Sequence, residues 1–376
     1  MREAYSGVPV FVTGHTGFMG SWLVLWLHAL GARVTGYSLP PPTRPSFHRA
    51  AGLDALVRHV RGDVREGARL ARALARAEPR VVFHLAAQSL VGRAREAPSE
   101  TIHVNAGGTV NLLEGVRAVS SVESVVVVTS DKCYARPHGA AGACREGDPL
   151  GGGEPYAASK AMAELAAAAY LETFFRPAGG GAAHRSDARP AVGLATVRAG
   201  NVIGGGDFGR DRLVPDLVRA RRRGRTPELR RPEAVRPWQF VLDPLAGILL
   251  LGARLRREGA ALSGPWNLGP PARHHVRVRS VAERFLAALG GERAWRSAPG
   301  GPPFPETEAL RLDSGKAGRR LSWRNVYTLE EGIRAAAAWY RVFLEGAGGE
   351  ELRAFSLKQL RAYLRSARSR GASWAG

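Results

Sequence analysis

The sequence predicts an α/β fold, a doubly wound parallel sheet with a smaller C-terminal substrate-binding lobe. Three observations predict it. Short apolar, β-branched runs alternate with helical stretches through the first half of the chain, a glycine turn joins the first strand to the first helix, and Val125-Val-Val-Val128 ends abruptly in polar residues. Consecutive valines without helical spacing suit a strand covered on both faces of a parallel sheet. Ligands bind beyond the carboxyl ends of such strands. Thr129-Ser130-Asp131-Lys132-Cys133-Tyr134 therefore stands where chemistry is expected.

The elements follow in order. Val8 to Val12 is a strand, followed by Thr13-Gly14-His15-Thr16-Gly17-Phe18-Met19-Gly20 and an apolar helix, Ser21 to Leu30. Gly14, Gly17 and Gly20 permit a tight turn that brings backbone N–H groups to a pyrophosphate, with His15, Phe18 and Met19 between them as cofactor neighbours. The G-x-x-G-x-x-G spacing points to the short-chain dehydrogenase variety of Rossmann domain. The second strand, Arg33 to Tyr37, ends without the acidic residue that marks NAD, and Arg44 follows. The choice between NAD and NADP stays open at this point.

Val57 to Val60 leads into Gly62-Asp63-Val64, where Asp63 is placed either to accept from an adenine amino group or to cap the next helix, Ala68 to Ala77. Val81 to Leu85 is the fourth strand. Leu85, Ala86 and Ala87 at its end are small enough, or apolar enough, to let a cofactor lie along the backbone, and His84 reads as a packed core histidine. Ser99 to Val119 is a long helix leading to the valine strand. Beyond that strand, Tyr156 and Lys160 are four apart and so share a helix face. Ser130, Asp131, Lys132, Tyr156 and Lys160 form the catalytic candidate set.

Residues 135–154 form a loop over the site. Helix Tyr156 to Phe175 gives way to a glycine-rich insertion, 176–184, before strand Val192 to Arg198. Residues 1–198 with about 236–262 are expected to form the Rossmann domain, about 199–235 and 263–345 the substrate lobe, and 346–376 a basic tail. The chain is expected to return to the sheet near Pro237 to Leu251, and Leu329 to Leu344 is an amphipathic helix.

Composition bounds the function. The 376 residues, 45% hydrophobic, can bury a full core in two lobes. No apolar run spans a bilayer and no leader pattern precedes the first strand, so a cytoplasmic enzyme without a membrane partner is expected. Cys133 and Cys144 show neither a disulfide framework nor metal-ligand spacing, so no metal is expected. The net charge of +21 is spread along the chain. Its densest run, Arg219-Ala-Arg-Arg-Arg-Gly-Arg225, reads as a solvated helix end, and no nucleic-acid motif accompanies it. An acidic small substrate such as a nucleotide fits the same charge. Among 54 Lys+Arg only four residues are lysine. That Lys132 and Lys160 persist in the motifs points to a need for an amine that titrates or is compact.

Thr13-Gly-His-Thr-Gly-Phe-Met-Gly-Ser-Trp22, Thr129 to Tyr134, Ala199-Gly-Asn-Val-Ile-Gly-Gly-Gly-Asp207 and Arg236-Pro-Trp-Gln239 together resemble the CDP-glucose 4,6-dehydratases, extended short-chain dehydrogenase/reductases. The likeness runs from about Pro9 to Tyr363. Lysine after Asp131 is the discriminating feature, since sister sugar-nucleotide dehydratases carry glutamate there. The resemblance implies NAD, a CDP-hexose substrate held by Gln88, Asn201, Arg212 and Arg236, and a homodimer or dimer of dimers paired through helices 99–119 and 156–175. It also implies roles: Tyr156 the base at the sugar 4-hydroxyl, Lys160 lowering its pKa, Ser130 on the same oxygen, Asp131 the acid, and Lys132 the C5 base or an electrostatic stabiliser. The loop 135–146 lacks the family's usual Trp and Tyr, and Phe240 stands where the family tends to have histidine. An epimerase or reductase of the same family would share Ser130, Tyr156 and Lys160 without needing Asp131 and Lys132, and a non-catalytic nucleotide-binding protein would need none of the five.

Overall fold

The computed structural model describes residues 1–135, 142–176, 191–298 and 311–375. The glycine-rich insertion expected at 176–184, beyond Arg176 itself, and the middle of the loop expected over the site lie outside these. Among the described residues, seven strands form one parallel sheet: β1 (Pro9–Thr13), β2 (Arg33–Ser38), β3 (Arg58–Arg61), β4 (Val81–His84), β5 (Ser124–Val128), β6 (Gly193–Ala199) and β7 (Gly264–Leu268). Their order is β7-β6-β5-β4-β1-β2-β3, so the winding reverses between β1 and β4. This is the doubly wound arrangement, with a crevice at the reversal.

The valine run is apolar throughout because both faces are covered. Val126 joins the cluster on one face with Val10 and Val12, while Val125 and Val127 join Phe11 and Leu194 on the other. The first face is roofed by helices α1 (Phe18–Ala29) and α6 (Leu242–Glu258), the second by α2 (Gly67–Ala77), α3 (Gly108–Arg117) and α4 (Pro155–Tyr170). Trp22, Trp26 and Trp266 have no exposed surface within the first cluster.

Helix starts carry local reasons. Pro155 opens α4, and the Glu154 carboxylate accepts the N–H groups of Tyr156 and Ala157, each at 2.9 Å. The helix expected over 99–119 is a short helix, Pro98–Ile102, a π-helical turn, His103–Gly107, and α3, and α4 likewise ends in a π-helical turn, Leu171–Phe175.

Three expectations are corrected. The apolar stretch 242–251 is not a strand returning to the sheet but the first part of α6, buried on nearly every side. Run length alone does not separate a buried helix from a buried strand. The returning strand is β7, so residues 264–268 sit in the main sheet rather than in the second lobe. Nor is 346–376 a free tail. The helix Gly349–Ser369 buries Leu352, Leu360, Tyr363 and Ala367 against the same core as α1. The Leu329–Leu344 helix has the expected bounds, starting in a Thr328/Glu331 capping box.

The second lobe is built from α5 (Leu213–Arg222), the helix Val278–Ala288, and two-stranded ribbons that pair Val235–Pro237 with His275–Arg277 and Glu228–Leu229 with Arg296–Ser297. Between the lobes, Val202–Ile203 pairs with Gln239–Phe240.

Candidate active site

The glycine turn lies at the reversal of the sheet. Gly14 has φ +72°, and a Cβ on it would fall 2.6 Å from the Ala86 nitrogen, while one on Gly20 would fall 2.2 Å from the Gly14 carbonyl oxygen. Only glycine lets the turn press against the end of β4. Gly17 caps α1 with no side-chain acceptor, leaving the first N–H groups of that helix for an external anion. Phe18, Met19, Leu85, Ala86 and Ala87 are partly exposed around it. This cradle fits a dinucleotide pyrophosphate.

Other cofactor candidates stand differently. His15 is fully buried, with Nε2 2.8 Å from Nδ1 of His59 and its ring against Gly36, so a cofactor meets at most its backbone. Asp63 neither caps α2 nor keeps an unshared carboxylate. Its Oδ1 accepts from the Arg65 N–H at 2.9 Å and its Oδ2 from the Arg65 guanidinium at 3.0 and 2.6 Å, and that bonding holds its pKa below the ordinary value. Val64 is buried beneath Gly108.

Beyond β5, Ser130 caps the turn Asp131–Cys133 by accepting from the Lys132 N–H at 3.2 Å, and its hydroxyl donates to Asp131 Oδ1 at 3.1 Å. Asp131 is buried against Gly200, and burial raises its pKa, opposed by the charges of Lys132 and Arg236. A protonated carboxyl is the form burial favours there. Tyr156 is pushed up to about 12, chiefly by burial, with the adjacent Ser130 hydroxyl and Arg212 pulling the other way.

The depression of this phenol expected from Lys160 is outweighed here by burial. Lys160 Nζ donates to the Val128 carbonyl at 3.1 Å, and burial lowers its own pKa to about 8. Desolvation of the phenolate outweighs a cation whose hydrogen bond is spent on the end of β5. Lys132 is partly exposed beside Asp131, and among the described residues its Nζ has no hydrogen-bond partner.

The substrate candidates divide. Gln88 spends its side chain on its own loop, donating to Leu90 O (3.1 Å) and Thr101 Oγ1 (2.9 Å) and accepting from Leu90 N–H (2.7 Å). A substrate contact there would share the side chain with these bonds. Asn201 is partly exposed, and its carbonyl accepts the Gln239 N–H at 2.9 Å. Arg212 pairs with Asp207 at 3.0 Å and donates to Ser89 at 2.8 Å, so a diphosphate would share it with both. Arg236 donates to the Val235 carbonyl at 3.0 Å and lies close enough to bias Asp131.

Sequence reasoning missed several supports. Asn105, in the π-helical turn, donates to Ser159 on α4 at 2.9 Å and to the Gln88 carbonyl at 3.0 Å. It joins α4 to the loop after β4. Glu164 and Arg198 form a buried ion pair at 2.7 Å beneath the site. The spacing Tyr156, Lys160, Glu164 was the available signal, since residues four apart share a helix face.

The buried histidines set an acid limit. Burial lowers His15 and His84 to about 3 and His274 to about 4, and His84 is held by Thr13 at 2.7 Å, as a core histidine was expected to be. Unfolded, each takes a proton near pH 6.5. Folded pKa values below unfolded ones mean that stability is full above pH 6.5 and is lost as pH falls toward 4 to 3. The melting temperature is expected to fall steadily from pH 7 to pH 4.5, as read by differential scanning calorimetry. A flat profile would contradict the neutral buried imidazoles.

Among the described residues, no helix is long and apolar enough to cross a membrane, and no group of His, Cys, Asp and Glu could hold a metal ion. A model of the NAD dependent epimerase/dehydratase family matches residues 10–269. The CDP-glucose 4,6-dehydratase of Salmonella typhimurium is 41% identical over 345 residues, 92% of this chain and 94% of the relative. The UDP-glucose 4-epimerase of Mycolicibacterium smegmatis is 29% identical over 335 residues, 88% of this chain and 97% of that one. Among solved structures, a double mutant of the dTDP-glucose 4,6-dehydratase of Streptomyces venezuelae with NAD bound has a TM-score of 0.73 and 26% identity, covering 88% of this chain and 96% of its own.

Proposed function

The chain belongs to the NAD dependent epimerase/dehydratase family, and from that premise we propose that it is an NAD-dependent hydro-lyase, converting CDP-D-glucose to CDP-4-dehydro-6-deoxy-D-glucose and water. One observation carries the reading beyond a generic family member. A buried Asp131, its pKa raised by burial, stands between Ser130 and Lys132 at the same strand end as Tyr156. Elimination of a hydroxyl needs such an acid, whereas epimerisation at C4 does not.

The cradle of Gly14, Gly17 and Gly20 would hold the pyrophosphate, with Phe18, Met19 and Leu85 to Ala87 along the dinucleotide. Bound NAD supplies an acceptor for hydride from C4 and gives hydride back at C6. Tyr156 takes the proton of the 4-hydroxyl, and Ser130 hydrogen-bonds the same oxygen. A 4-ketone acidifies the C5 proton. Lys132 takes the C5 proton, Asp131 protonates the departing 6-hydroxyl so that water leaves, and the Lys132 proton goes back to C5 as hydride returns to C6. Lys160, one turn beyond Tyr156, adds a cation at the end of β5. Arg212 and Arg236 are the guanidinium donors for the diphosphate.

Purified protein is expected to form 4-keto-6-deoxy product from CDP-glucose and not from dTDP-glucose, UDP-glucose or GDP-mannose. Product from none of the four would overturn the reading in favour of an epimerase or reductase.

We also place the enzyme in the cytoplasm, where Cys133 and Cys144, buried and not joined in a disulfide, stay reduced. Met162 and Leu165 on α4 are 45% and 58% exposed, large apolar side chains that a second copy would cover. A homodimer is expected, read by light scattering as twice the 40.2 kDa chain mass. A monomer at micromolar concentration would refute it.

A further inference from the structure

Beneath the candidate site lies a polar knot that none of the assigned roles uses. The Glu164 carboxylate accepts from the Thr129 hydroxyl, from the Thr196 hydroxyl at 2.7 Å and from Arg198 Nη2 at 2.7 Å. Both members of the ion pair keep only 3% of their side-chain surface exposed. The Thr129 backbone N–H donates to the Val197 carbonyl at 2.8 Å. One carboxylate thus grips the ends of β5 and β6 from α4.

Its position gives the knot a consequence. Thr129 immediately precedes Ser130, Asp131 and Lys132, and Glu164 lies one helical turn beyond Lys160 and two beyond Tyr156. The two halves of the catalytic set come from separate elements, the end of β5 and the start of α4. Glu164 is where those elements are joined by charge-assisted hydrogen bonds.

The hold extends to the loop side. Arg198 Nη1 donates to the Glu146 carbonyl at 3.1 Å, and its guanidinium carbon lies 4.7 Å from the centre of the Tyr134 ring. Tyr134 donates to Asn267 Oδ1 at 2.7 Å, and Asn267 donates in turn to the Cys144 carbonyl at 2.8 Å and to Glu146 Oε1 at 3.0 Å. Residues 144–146 of the segment leading back to α4 are therefore fixed from below.

We propose that Glu164 is a positioning residue for the dehydration: through Thr129, Thr196 and Arg198 it fixes the Ser130–Lys132 turn against the helix bearing Tyr156 and Lys160. This rests on the dehydratase reading. Charge at Glu164 acts on Lys160 as well. Lys160 is faced by His84 from β4, Cys133 from the turn and Glu164 on its own helix, with Arg198 from β6 offsetting part of the Glu164 charge.

Removing Glu164 alone leaves the buried Arg198 uncompensated, so a loss of folding would be uninformative. Two other variants avoid this. Thr129→Val keeps shape and the ion pair while deleting the hydroxyl, and Glu164→Gln with Arg198→Met removes both charges together. Each is compared with wild type for kcat and KM on CDP-glucose, NAD binding by fluorescence quenching, and melting temperature. Both variants are expected to fold and to bind NAD, with KM held to within about twofold and kcat lowered about 10- to 100-fold, the scale of a displaced catalytic group. Thr129→Ser, which restores the hydroxyl, is expected to recover kcat to within about threefold of wild type. Lowered melting temperature with undiminished kcat would overturn the proposal and leave the knot purely structural. Wild type without product from CDP-glucose would overturn the dehydratase reading, and this role with it.

Discussion

Tyr156→Phe is expected to lower kcat on CDP-glucose by about 10³-fold, inside the range a positioned acid–base group supplies. KM and NAD binding are expected to stay close to wild type, because the ring, the helix and the glycine cradle are unchanged. The phenol is the group the reaction cannot replace. In the proposed chemistry its oxygen takes the 4-hydroxyl proton, and the residue is buried, which limits water's access to it. In this structure the cost of that burial is visible, since the phenol sits at about 12. Protonation of the base therefore has to be reversed by the bound substrate and cofactor, by Ser130 and Arg212, and by the positive charge of Lys160. Activity is accordingly expected to rise with pH across the neutral range, and a Tyr156→Phe enzyme with undiminished kcat would sink the proposed chemistry.

Arg198→Met alone is expected to destabilise the fold by about 3–5 kcal/mol, the cost of leaving a buried carboxylate without its counter-charge. The site offers Glu164 no water: both side chains are almost completely enclosed, and Thr129 and Thr196 supply only neutral donors. Converting the pair together, Glu164→Gln with Arg198→Met, is expected to recover most of the loss, because the penalty belongs to the orphaned charge rather than to the missing bridge. Urea unfolding of the two variants checks both statements. An Arg198→Met protein within about 1 kcal/mol of wild type would mean that Glu164 takes up a proton or reaches solvent.

Much of the architecture was legible before any coordinates. Alternation of β-branched runs with helical stretches predicts the order of the first six strands, and the element bounds differ mainly by one or two residues. The misreading of 242–251 has a plain cause. An apolar run buried on all sides looks alike as helix or strand, and only the pairing of β7 with β6 showed which segment closed the sheet. The C-terminal helix was hidden for the opposite reason. Its apolar residues are few and widely spaced among arginines, yet they are the ones that bury.

By itself, then, the sequence determined the parallel α/β class, the glycine turn and the five groups of the candidate catalytic set, because these depend on residue type and short spacing. The tertiary structure decided what each side chain is free to do. Gln88 and Asp63 were spent on local bonds, His15 was sealed away, Lys160 was turned to a backbone carbonyl, and Glu164 was matched with an arginine 34 residues distant. Those outcomes depend on desolvation and on partners brought together by folding, and neither quantity is written in local spacing.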